Sequence, residues 1–123
     1  MKNILVVEDD KFLRDLLVLK LKSAGMKVDI ATEGKEALQK IESKPPQLIL
    51  LDLILPNIDG FEILKRIKKD EKTAKIPVII LSNLGEGGEV EKGVKLGAVD
   101  YLVKAHFTPE EIVAKVKKVL GEK

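Results

Sequence analysis

Five short apolar runs recur along the chain, at residues 4–7, 28–31, 48–51, 78–81 and 99–103, each four or five residues long. They are mostly β-branched or leucine, apolar on both faces, and so predict strands buried on both sides. Between them the apolar spacing changes to a helical period. Leu13, Leu16, Leu17 and Leu21 form one stripe, and Ala37, Leu38 and Ile41 the next; Ile63, Leu64 and Ile67 follow. Ile112, Val113, Val116, Val119 and Leu120 make the last and clearest. Strands alternating with helices through short connections predict a three-layer α/β/α domain around a parallel sheet. Right-handed crossovers leave few strand orders for such a doubly wound five-stranded sheet, and 2-1-3-4-5 is the common one.

Boundary signals agree with this pattern. Thr108-Pro109-Glu110-Glu111 offers a threonine cap, a proline at the first helical position and a glutamate at the third. Asp59-Gly60-Phe61-Glu62 repeats the logic with aspartate. Gly25 and Gly121 stand where helix ends need a left-handed residue. Within residues 84–94, Gly85, Gly87, Gly88 and Gly93 predict a helix that starts late or stays short. A length of 123 residues suits a single domain spanning 1–123. Without cysteine the chain has no disulfides, zinc thiolates or thiol nucleophiles. No apolar run approaches the roughly 18–20 residues of a membrane span, so no membrane insertion and a cytoplasmic location are expected. A net charge of +2 and only four aromatics (Phe12, Phe61, Tyr101, Phe107) argue against direct nucleic-acid binding.

In open parallel sheets, ligands bind at the carboxyl ends of the strands that flank the reversal of strand order. Here those ends carry acids. The first strand runs into Glu8-Asp9-Asp10, and the third ends at Asp52, directly behind Leu48-Ile49-Leu50-Leu51. Two unit charges about 5 Å apart repel by roughly 3 kcal/mol at an effective dielectric near 20. A hard divalent cation such as Mg²⁺ would neutralise such a group. Helix capping alone would explain Asp10, but not Asp52. The fourth and fifth strands end at Ser82 and Lys104, a hydroxyl and an ammonium at the same sheet edge. Carboxylates, hydroxyl and ammonium together suit phosphoryl transfer to a carboxylate.

Ile4-Leu5-Val6-Val7-Glu8-Asp9-Asp10, the stretch from Leu51-Asp52 through Pro56 to Asp59-Gly60, Ser82, and Tyr101-Leu102-Val103-Lys104 carry a resemblance. Over essentially its whole length the chain resembles the receiver domain of two-component response regulators, of the single-domain, CheY-like (βα)5 type. The resemblance implies a signalling switch, not an enzyme in the ordinary sense. Asp52 would take a phosphoryl group from a phosphohistidine on a sensor histidine kinase or phosphotransfer protein. Asp9, Asp52 and the Ile54 backbone carbonyl would ligate Mg²⁺, with Glu8 acting through water. Ser82 and Lys104 would bind phosphoryl oxygens, and Tyr101 would be the aromatic that turns inward on activation. The face formed by the fourth strand, its helix, the fifth strand and the last helix would then bind a downstream target protein. The implied species is a monomer or a weak phosphorylation-dependent dimer with no output domain in this chain.

Three departures from the family pattern stand out. Ala105 follows the lysine where a cis proline is usual; a cis non-proline bond costs about 3–4 kcal/mol, so either strain holds it or the loop differs. Asn83 replaces a small residue beside Ser82. Ile54 and Leu84, two residues beyond Asp52 and Ser82, are apolar and predict slow self-dephosphorylation, since neither orients water. His106 is expected to be a loop residue, and the lysines at 65–69 and 115–118 to be solvated. A haloacid-dehalogenase-type phosphatase would want an acid at Ile54. A flavodoxin would want a hydroxyl-rich loop and aromatics. A receiver-shaped adaptor that is never phosphorylated would have lost Asp52 or Lys104.

Overall fold

In the computed structural model, which describes residues 2–83 and 88–121, the apolar runs lie side by side as one sheet. Its strands are β1 (Asn3–Val7), β2 (Lys27–Ala31), β3 (Leu48–Leu51), β4 (Val78–Ser82) and β5 (Asp100–Val103). All neighbours are parallel and the order is β2-β1-β3-β4-β5. The helices are α1 (Lys11–Ser23), α2 (Gly34–Ser43), α3 (Gly60–Lys69), α4 (Glu89–Lys95) and α5 (Pro109–Val119).

Alternate strand residues serve two separate cores, because side chains leave a strand on opposite faces. Leu5, Val7, Ile49, Leu51 and Ile80 pack on Ala37 and Ile41 of α2 and on Ile63, Leu64 and Ile67 of α3. Ile4, Val6, Leu48, Leu50 and Leu81 pack on Leu17 and Leu21 of α1 and on Ile112, Val113 and Val116 of α5. The predicted stripes are therefore the buried faces, except that Leu16 of α1 belongs to neither core. Asp10, Asp59 and Thr108 cap α1, α3 and α5, and Thr108 with Glu111 completes a reciprocal capping box. Gly25 and Gly121 take the left-handed conformation just past α1 and α5.

Two details differ from the sequence expectation. β2 lies at the sheet edge, so Lys27 and Asp29 are exposed and the strand is not buried on both faces. Val99 precedes β5 and is 52% exposed; its N–H donates to the Val78 carbonyl at the entrance to the sheet. The glycine-rich stretch yields a late and short α4 of seven residues, as expected. Leu84, with residues 85–87, lies outside the described residues.

Candidate functional site

Parallel register brings the strand ends to one edge. Val7 pairs with Leu51, Leu51 with Ile80, and Ser82 with Val103. The residues that follow, Glu8, Asp52 and Lys104, therefore converge with Ser82. Glu8 and Asp52 are buried, at 2% and 4% exposure. The Lys104 ammonium lies between them, 2.8 Å from Glu8 Oε1 and 2.9 Å from Asp52 Oδ2.

Backbone groups hold both acids in place. The Ile54 N–H donates to Asp52 Oδ1 at 3.1 Å, and the Asp10 N–H to Glu8 Oε2 at 3.1 Å. Arg14, which the sequence reading did not single out, donates through Nη1 to the carbonyls of Glu8 (3.2 Å) and Asp9 (3.4 Å). Its place one turn into α1, below two strand-end acids, was the available signal. Burial, reinforced by the Asp52 charge, pushes the Glu8 carboxyl up to about 7 against the pull of Lys104. Burial acts to lower the Lys104 ammonium, but its hydrogen bonds with Glu8 and Asp52 win and raise it.

One ammonium does not balance this set. Glu8, Asp9 and Asp52 present carboxylate oxygens within 4.8 Å of one another, two buried and one exposed. An all-oxygen donor set with excess negative charge fits a hard divalent cation. The cluster is one that could hold a metal ion.

The remaining predicted residues surround this centre. Ser82 is fully buried at the end of β4. Tyr101 is packed inward against Gly93 of α4, and its hydroxyl is hydrogen-bonded with that of Ser82. Burial, then the Glu89 charge, raises the phenol. Ile54 stands at the mouth, 56% exposed, and Asn83 and His106 are exposed as well. Among the described residues no peptide bond is cis. The Lys104-Ala105 bond is therefore trans, and residues Lys104–His106 form a single 3-10 turn: the loop differs. Asp10 caps α1, its Oδ1 accepting from the N–H groups of Phe12 and Leu13.

Comparison with known proteins agrees with the fold. Residues 4–117 match the family model of the response regulator receiver domain. The DNA-binding dual master transcriptional regulator RpaA of Synechocystis is 40% identical over 120 residues, which are 98% of this chain and 49% of that protein. The chain thus spans about half the length of the curated relatives it matches. Among solved structures, a response regulator from Chloroflexus aurantiacus superposes with a TM-score of 0.90 at 36% identity, covering 98% of each chain. The Mn²⁺-bound form of response regulator Rcp1 gives 0.87 at 29% identity, covering 98% of this chain and 94% of that one.

The chain belongs to the response regulator receiver domains, the phosphorylation-activated switches of two-component systems. Receiver domains are signalling domains that interact with histidine kinases and downstream effectors. No helix among the described residues is long and apolar enough to cross a membrane.

Proposed function

We propose that Asp52 is the phosphoacceptor of a cytoplasmic receiver unit spanning residues 1–123. The observation that carries this reading is the Lys104 ammonium shared by two buried carboxylates at the carboxyl edge of the sheet. An Asp52 oxygen attacks phosphorus; the new O–P bond forms as the donor's P–N bond breaks, and the electron pair leaves on the donor imidazole. Lys104 is already within hydrogen-bond distance of Asp52 and moves its charge onto a phosphoryl oxygen. Ser82, at the next strand end, donates to another. Asp9, Asp52 and the Ile54 carbonyl would hold Mg²⁺, with Glu8 acting through water. The Mn²⁺ in the structure of Rcp1 supports a divalent cation here. When bound, the ion neutralises the acid cluster and the incoming phosphoryl oxygens.

Phosphorylation adds roughly −1.5 to −2 charges beside Ser82 and Lys104. Reversing a two-state preference of about 99:1 takes about 5.5 kcal/mol, and two charge-assisted hydrogen bonds at roughly 1.5–3 kcal/mol each supply much of it. Ser82 and Tyr101 are already joined, so a move of Ser82 reaches the β4–α4–β5–α5 face, where a downstream protein binds. The donor is a sensor histidine kinase or phosphotransfer protein, and the unit acts as a monomer or weak phosphorylation-dependent dimer. Ile54, exposed and apolar at the mouth, Asn83 beside Ser82, and Leu84 set a slow self-dephosphorylation; decay within seconds would contradict that part.

The test is incubation with Mg²⁺ and a small acyl phosphate, followed by intact mass. One added phosphoryl group is expected on the parent protein and none on Asp52→Asn or after chelation. An equal adduct on Asp52→Asn would overturn the assignment.

A further inference from the structure

The connection from Asp52 to α3 is closed on itself. The Gly60 N–H donates to the Leu53 carbonyl at 3.0 Å. A Cβ on Gly60 would lie 2.5 Å from Leu53 Cα and 2.7 Å from the Asp52 carbonyl, so the two ends of the loop are pressed together. Its apex is Pro56-Asn57-Ile58, where the Ile58 N–H donates to the Pro56 carbonyl at 2.9 Å. Asn57 at the centre of that three-residue turn has φ of 72°, the one positive value outside glycine among the described residues. Turns of this kind are rare and strained, and persist when something outside them over-determines the conformation.

That outside partner is the start of α2. The Asn57 side-chain amide donates to Glu33 Oε2. Glu33 occupies the N-cap position of α2 yet makes no side-chain cap bond, so its carboxylate serves the loop and not its own helix. Immediately beside it, Gly34 leaves room for Ile58: a Cβ there would stand 2.7 Å from Ile58 Cβ and 3.0 Å from Ile63 Cδ1. A polar tether and an interlocked apolar contact thus fix one apex.

We infer that Glu33 and Asn57 are positioning residues for the acid centre: by pinning the apex of the loop, they set the direction of the Ile54 peptide. Neither touches the acids. The Ile54 N–H orients Asp52 Oδ1, and Ile54 lies inside the loop whose base Gly60 and Leu53 close and whose apex this pair holds. This rests on the reading of Glu8, Asp9 and Asp52 as a divalent-cation site. Removing a partner that stands behind a metal ligand weakens binding by about 10–100-fold. The tether lies one step further out, so the expected loss is about tenfold.

Mg²⁺ titration by calorimetry on four proteins tests this, with thermal midpoints and hydrogen exchange at the Ile58 and Gly60 amides measured without metal. Asn57→Gly keeps the positive φ accessible and removes only the amide. Glu33→Ala removes the acceptor and the charge, whereas Glu33→Gln removes the charge and keeps an acceptor. The account expects Asn57→Gly and Glu33→Ala to bind Mg²⁺ about tenfold more weakly and to exchange faster at both amides. Glu33→Gln should stay near the parent in both. Parent-like Mg²⁺ affinity in Asn57→Gly and Glu33→Ala overturns the inference. So does a loss in both Glu33 variants with Asn57→Gly unchanged, which would mean that Glu33 acts only through its charge. Failure of the parent itself to bind Mg²⁺ overturns the underlying site reading, and the inference with it.

Discussion

α3 and α4 flank the same acid centre and are built to opposite standards. α3 has ten residues, an aspartate cap on the Phe61 N–H, and Ile63, Leu64 and Ile67 buried in the core. α4 has seven residues, Gly88 at its N-cap with no side-chain cap bond, and Gly93 as its one buried residue. Where α4 comes closest to the sheet it does so through that glycine, whose Cβ would lie 2.7 Å from Ile80 Cδ1 and 3.1 Å from Tyr101. Local opening free energy follows buried apolar contact, so α3 opens only with the whole domain and α4 opens cheaply. The difference sets a firmly held helix beside a weakly held one at the carboxyl edge of the sheet. Lys92, 4.4 Å over the Phe61 ring, is a link between them.

The sharpest way to break this comparison is to cut the same kind of side chain from each helix. Ile67→Ala in α3 should cost about 2–5 kcal/mol in denaturant unfolding, and Val94→Ala in α4 no more than about 0.5 kcal/mol. Equal costs would abolish the distinction. The glycines come next. Gly60→Ala forces a Cβ against backbone at 2.5 Å and should cost about 1–3 kcal/mol, with the acid loop displaced. Gly88→Ala meets nothing closer than 3.9 Å and is penalised only for its φ of +89°, about 1 kcal/mol, with Mg²⁺ affinity unchanged.

A pH series probes the acid centre itself. With Glu8 raised from 4.5 to about 7, the folded metal-free protein holds a proton that the unfolded chain has released. Stability should therefore fall by about 3 kcal/mol as pH rises through that window, and Glu8→Gln should flatten the fall. Mg²⁺ competes with the same proton, so its affinity should rise with pH up to about 7. A small effect is expected for Lys92→Ala, about 0.5–1 kcal/mol, with faster amide exchange in α4 but not in α3.

Much of this was legible before any coordinates. The runs at β3 and β4 are apolar on both faces because both faces are covered, and Asp59 and Thr108 announce their helices chemically. Glu8, Asp52, Ser82 and Lys104 were legible because parallel strands deliver their carboxyl ends to one edge whatever the loops do. The edge position of β2 was legible too: the order 2-1-3-4-5 puts that strand outermost, and Asp29 interrupts its apolar run. Val99 misled, since an apolar residue beside a strand satisfies the pattern without joining the ladder. The Glu33–Asn57 tether and the Lys92–Phe61 contact join residues far apart in sequence, which neither periodicity nor capping encodes. Only the left-handed preference of asparagine hinted at Asn57.

The central claim is that one carboxylate, Asp52, carries the phosphoryl group. Borohydride reduces an acyl phosphate to an alcohol and leaves free carboxylates intact, so the modified residue can be read by peptide mapping after treatment with Mg²⁺ and a phosphodonor. The account predicts reduction at Asp52 alone, converting it to homoserine, and none when Lys104 is intact but Asp52→Asn is present. Reduction at Glu8 or Asp9 in the parent protein, or at none of the three despite a gain of phosphoryl mass, would contradict it.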